Sequence, residues 1–167
     1  MKDVSLPSIP ERHDPMSFEE AIDGTCYMVR YMQLQQRLFS RMANVFTFTS
    51  LFGGSAAFAG VITEHTVLTA TSGVIVAVST MLDFVIDPKK HAAQCRKARR
   101  RFQKLYMKKA AYSFEEYECE TCRIALIDFP DIEGLRRPAF NDTCVQLGRT
   151  KGVVVLNKWE RLLKLIT

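Results

Sequence analysis

The residues whose types and spacing suggest chemistry fall into three sets. Thr69, Ser72, Val76, Ser79, Thr80 and Asp83 recur at three- and four-residue steps through an otherwise apolar run, with Asp87 continuing the same line. At that spacing they share one face of an α-helix, a polar stripe ending in a carboxylate. Residues 88–110 then carry ten bases and no acid: Lys89, Lys90, Arg96, Lys97, Arg99, Arg100, Arg101, Lys104, Lys108 and Lys109. The third set is Cys119-Glu-Thr-Cys122. A lone C-x-x-C is weak evidence for metal, because zinc normally needs four ligands and no other Cys or His stands at ligand spacing. Packing of both thiols on one helix face is the expectation, with no metal and no cofactor. The chain also has no G-x-G-x-x-G, phosphate-binding loop, G-x-S-x-G or H-E-x-x-H, so no catalytic residue is assigned and an enzyme is not expected.

The stripe belongs to a longer feature. Met42 to Ile62 is uncharged over 21 residues, which as a helix spans about 31 Å, the thickness of a bilayer's hydrocarbon. Thr66 to Leu82 adds 17 uncharged residues, extending to Ile86 if Asp83 is tolerated, and only Thr63-Glu64-His65 separates the two runs. The pattern predicts a transmembrane helical hairpin, with spans of about 42–62 and 66–86 and a minimal outer loop. A soluble hairpin buried in a bundle is the alternative, although soluble helices rarely run uncharged so far. A cleaved signal peptide does not fit a run that begins 42 residues into the chain and is followed at once by another.

Charge sets the expected orientation. Arg30, Arg37 and Arg41 precede the hairpin and the ten bases follow it, whereas the loop offers Glu64 and His65. The positive-inside bias then places both termini in the cytoplasm, where five cysteines should be reduced thiols. Small residues within the spans (Thr49, Gly53, Ala56 or Ala57 and Gly60 in the first, Ala70, Gly73 and Ala77 in the second) allow close helix approach. They serve either the hairpin itself or neighbouring subunits.

Asp83 has two readings, as an interfacial residue in the headgroup zone or as part of an aqueous lining. The hydroxyls of the stripe either bond back to their own helix's carbonyls or face water. A polar stripe ending in an acid favours the aqueous lining, and because one hairpin cannot enclose a pore this predicts a homo-oligomeric channel, a tetramer being the working subunit number, whose pore Thr69, Ser72, Val76, Ser79, Thr80 and Asp83 line. A ring of Asp83 would then favour cations. For the ten-base run the readings are a collar for anionic lipid heads, a surface for a nucleotide or oligonucleotide phosphate, or pairing with the acidic Glu115, Glu116, Glu118 and Glu120.

The flanks are expected to be helical. Residues 1–16, with three prolines, read as a disordered lead-in. Ser17-Phe18-Glu19-Glu20 is a capping box starting a helix that is free of proline as far as the first span. Asp87-Pro88 reads as the cap of a long helix to about Ile127, basic at its start and acidic at its end, opposite to the helix dipole's preference. In the C-terminal segment, 128–167, Pro130, Gly134 and Pro138 predict a loop from Phe129 to Phe140, after which Asn141 or Asp142 caps a final helix broken at Gly148 and Gly152. Val153 to Leu156 alone would suit a strand, but a helix through 148–156 is the expectation. The amphipathic end around Trp159, with Lys158, Arg161 and Lys164, would pack on the long helix or lie in the membrane interface. The fold class is thus an all-α, oligomeric membrane protein with a two-span hairpin and flanking cytoplasmic helices.

Two stretches carry a family likeness. Tyr27 to Phe46, YMVRYMQLQQRLFSRMANVF, resembles the pre-membrane helix of the SLATT family. Leu82-Asp83-Phe84 through His91, with Arg101-Phe102-Gln103-Lys104-Leu105, resembles its post-membrane helix. The likeness covers roughly 18–127 and extends to the final helix. SLATT domains are bacterial two-transmembrane effectors of antiphage and conflict systems. The resemblance implies a pore-forming effector of the cell inner membrane, paired with a nucleotide signal or with the enzyme that makes or senses it. The run from Lys89 to Lys109 is then the natural receiver of a polyanionic signal. A non-conducting anchor whose basic helix binds anionic lipid is the rival reading.

Overall fold

The computed structural model describes residues 17–62 and 66–167. The lead-in 1–16 and the link at 63–65 lie outside the described residues. Helix α1 (Phe18–Ile62) opens on its expected capping box: the Ser17 N–H donates to Glu20 Oε2 at 2.8 Å, and the Glu20 N–H donates to Ser17 Oγ at 3.2 Å. With no proline to break it, α1 continues for 45 residues, a rod of about 67 Å. Its polar first half and apolar second half therefore share one axis. Helix α2 (Thr66–Ile86) returns antiparallel to the apolar half.

Asp87 then breaks the returning chain. It takes a left-handed conformation (φ 42°), and its carboxylate accepts the Lys90 N–H as the cap of α3 (Pro88–Met107). A short polar side chain tolerates that conformation, and Pro88 loses nothing at a position whose N–H has no helical acceptor. After the break α3 still follows α1 downward. Phe39 meets His91 with ring centroids 5.3 Å apart, and the Cys95 thiol donates to Gln35 Oε1 at 3.5 Å. Met32, Leu38, Phe39, Cys95 and Ala98 form one buried seam along this pair.

The expected single helix to Ile127 is corrected. α3 ends at Met107, a short 3₁₀ turn covers Lys109–Ala111, and α4 (Phe114–Ala125) starts on a capping box of its own. The Ser113 N–H donates to Glu116 Oε2 at 3.0 Å, and the Glu116 N–H donates to Ser113 Oγ at 3.4 Å. This removes the conflict with the dipole, because Glu115 and Glu116 sit at the positive N-terminus of a separate helix. α4 folds back on α3, enclosing Ala21, Phe102, Leu105, Tyr117 and Ile124 in a second core.

The C-terminal segment also differs from expectation. The loop is shorter, because α5 (Arg136–Gln146) starts before Asn141, with Pro138 in the first turn where a missing N–H is harmless. Asn141 caps nothing and instead bonds both backbone groups of Val154, at 2.7 and 2.8 Å. That pair holds Val153–Leu156 extended, so the helix expected through 148–156 does not form there, and there is no strand among the described residues. Helix α6 (Lys158–Ile166) begins at Asn157 and sends Leu163 into the core against Gly134 and Leu135.

Candidate membrane hairpin and basic face

The upper end of the α1–α2 pair has an apolar outer surface. Val45, Phe48, Leu51 and Phe52 on α1, and Val67, Val74, Ile75, Val78, Met81, Phe84 and Val85 on α2, are exposed, reaching 86% for Phe84. Soluble monomers rarely leave so continuous an apolar surface uncovered. Among the described residues one stretch, Thr69–Met107, which spans α2, the break at Asp87 and α3, is long and apolar enough to cross a membrane, and only 6% of its apolar window is buried within the chain.

The polar stripe lies on the opposite, inner face. Ser72 is only 5% exposed, and Thr69, Val76, Ser79 and Asp83 are half-buried while their neighbours on α2 are open. Gly53 sets the closeness of the hairpin, since a Cβ added there would strike Val76 Cγ2 and lie 3.6 Å from the Ser72 carbonyl oxygen. The residues expected to line a lumen thus turn toward α1 within the single chain. Small side chains and hydroxyls allow that approach, which larger apolar residues would prevent. Thr80 is the exception: it is exposed and donates to the Val76 carbonyl at 2.8 Å. Ser72 donates to the Thr69 carbonyl at 3.0 Å and Thr71 to the Val67 carbonyl at 2.9 Å. Asp83 differs, because its Oδ1 is buried without a hydrogen-bond partner.

Helix α3 sorts the ten bases. Lys89, Lys90, Arg96, Lys97, Arg100, Arg101, Lys104 and Lys108 are all exposed and fall on one face. Arg99 is turned inward, with Nε buried and unpartnered, and Lys109 places Nζ 4.8 Å from the centroid of the Tyr106 ring. Among the described residues none of the ten pairs with a carboxylate; the ion pairs use Arg30, Arg123, Arg136, Arg137, Arg149 and Lys164. Ala93 leaves a shallow groove of about 410 Å³ between Arg96, Lys97, Arg100, Arg101 and Lys104. Of the acidic residues weighed as partners, Glu116 is engaged in its cap and Glu120 pairs with Arg123 at 2.5 Å.

Long-range polar contacts fasten the C-terminal helices to α1. Asp142 accepts from Arg30 at 2.6 Å and from Lys164 at 2.8 Å. Burial pushes its carboxyl up, but Lys164 and Arg30 together outweigh that and hold it below the ordinary value. The Tyr31 hydroxyl donates to Asp131 Oδ1 at 2.5 Å and accepts the Ile132 N–H at 2.9 Å, while Arg136 also pairs with Asp131. Burial, with the Asp131 hydrogen bond, raises the Tyr31 phenol. Arg30 with Asp142 and Tyr31 with Asp131 stand 112 and 100 positions apart, a separation that leaves no local signal in the sequence.

Cys119 and Cys122 are both exposed free thiols on α4. No group of three potential ligands gathers anywhere among the described residues. Cys95 is fully buried, and desolvation pushes its thiol up to about 11.

These features define an all-helical protein built on one long antiparallel helical pair. One end presents exposed apolar surface, and the other is a small bundle with an unpaired basic face. Comparison with protein-family models, curated proteins and solved structures finds no match to the chain. The likeness to SLATT domains rests on the residues quoted above.

Proposed function

We propose that this is a two-span membrane protein whose hairpin holds a helical module at the cytoplasmic surface, with both termini inside. The carrying observation is the apolar outer surface of the hairpin, from Val45 to Phe52 and from Val67 to Val85. Lipid satisfies such a surface, and the helices satisfy their own backbone groups, as a bilayer requires. Arg41 and Lys89 then mark the inner boundary, in keeping with the positive-inside bias. Alkaline carbonate extraction of cell membranes tests this: the chain should stay in the pellet, and release as a soluble monomer would overturn it.

A second reading, a subunit of a pore-forming antiphage effector as the SLATT resemblance implies, is favoured by Asp83. A buried carboxylate oxygen without a partner is costly within a span, and such acids normally face water or another chain. Assembly of several hairpins would supply either, with a nucleotide signal or a partner protein as the trigger. Ion flux from reconstituted liposomes separates the two readings. Flux that changes cation preference in Asp83→Asn supports the effector, and no flux under any stimulus leaves the anchor.

A further inference from the structure

The exposed face of α3 is too long to be explained by lipid. Its eight cations run from Lys89 to Lys108, about 28 Å along the helix axis, or one charge per roughly 4 Å on average. Because α3 follows α1, and α1 is one helix with the first span, the stripe runs away from the bilayer rather than along it. Lys89 and Lys90 lie within the first turn below Pro88 and reach the headgroups. Arg100 lies about 18 Å and Lys108 about 30 Å below Pro88. The headgroup layer is only about 5–8 Å deep and the screening length adds about 8 Å. Arg100, Arg101, Lys104 and Lys108 therefore lie beyond the reach of lipid charge. This step rests on the membrane reading above.

The chain's own acids leave these cations unpaired. Eight like charges on one helix face repel one another, and a ligand of matching anionic density removes that cost. This axial density of charge, one per roughly 4 Å, is close to the one phosphate per roughly 3.4 Å of axis that each strand of a duplex presents. A single nucleotide could neutralise only a few of the charges. The face also carries no aromatic platform, since Phe102 is fully buried and Tyr106 is half-buried under Lys109. That argues against single strands, which are gripped by base stacking. We infer that α3, through Arg96, Lys97, Arg100, Arg101, Lys104 and Lys108, binds the phosphate backbone of duplex nucleic acid without reading sequence.

The test uses the full chain in phosphatidylcholine nanodiscs and in detergent, with a fluorescent mixed-sequence DNA duplex of about 20 base pairs. Anisotropy should report binding at about 50 mM salt, with log K falling against log salt at a slope of roughly −5. Joint replacement of Arg100, Arg101 and Lys104 by Gln should reduce that slope by about 3 while leaving the helical melting curve in place. Lys89→Gln with Lys90→Gln should leave duplex binding within about twofold and weaken attachment to vesicles containing phosphatidylglycerol. Absence of duplex binding at low salt, a slope unmoved by the triple change, or equal competition by polyglutamate of the same charge would each overturn the inference. Carbonate extraction is read separately, so duplex binding by a chain that leaves the membrane refutes the anchor and not the nucleic-acid surface.

Discussion

Phe18 and Phe114 meet edge to face, with ring centroids 6.3 Å apart and planes at 80°. Each is the first residue of its helix, and each follows a serine within the same four residues, Ser-Phe-Glu-Glu, at 17–20 and 113–116. The two capped N-termini therefore lie side by side, with Tyr117 packed edge-on to Phe18 at 5.5 Å. This contact pins the lower end of α1 to the turn that ends the basic helix. Ser113→Ala should cost about 0.5–2 kcal/mol through the lost cap. Phe18→Ala and Phe114→Ala should show a coupling of about 0.5–1.5 kcal/mol. Denaturant melts of the detergent-solubilised single and double variants, followed by circular dichroism, measure both.

Asp142 should give acid sensitivity to the lower bundle. Its carboxyl is held below the ordinary 3.8 of an aspartate, because Lys164 and Arg30 outweigh the upward push of burial. A depressed folded-state value means that the stabilisation is complete above the unfolded pKa and fades as pH falls through about 4 and below. Asp142→Asn should lower stability at neutral pH by about 1–3 kcal/mol, since it removes a half-buried acceptor shared by two cations. It should also flatten the decline below pH 4 without abolishing it, because Asp131 is held low as well, by Arg136 and Tyr31. Thermal melts across that pH range check the sign.

Gly53 and Gly54 should behave as opposites. A side chain at Gly53 runs into Val76, whereas nothing lies within 4 Å of a Cβ at Gly54. Gly53→Val should destabilise the hairpin by about 1–3 kcal/mol through overpacking, and Gly54→Val should cost far less. Melting in the same detergent compares them directly, and equal losses would mean that the two helices do not pack at this glycine.

Much of the helix framework was legible in the sequence, but its subdivision was not. The Ser17 capping box, the uninterrupted α1 and the break at Asp87-Pro88 follow from local chemistry that a few neighbouring residues settle. The identical box at Ser113 carries the same signal, and the inverted dipole preference of a single helix to Ile127 points to the same break. α5 starts ahead of the point where Pro138 suggests a loop, because the first turn of a helix accepts proline. Of the stripe through Ser72 and Asp83, Thr69, Ser72, Val76, Ser79 and Asp83 turn inward while Thr80 faces out. Which object that face meets depends on Gly53 of the other helix, and periodicity along one helix carries no such information. Likewise, ten bases within residues 88–110 do not reveal by themselves that Arg99 and Lys109 turn aside and leave eight on one open face.

Topology is the most direct test of the proposed membrane hairpin. Glu64→Cys is introduced into a chain whose five native cysteines are changed to Ala, and intact cells are treated with a membrane-impermeant maleimide. A matched chain retaining only Cys119 and Cys122, both exposed on α4, reports the opposite side. The expected result is labelling at position 64 in intact cells, with labelling of Cys119 and Cys122 only after permeabilisation. Labelling of all three positions only after lysis would contradict a hairpin that crosses the membrane with both ends inside.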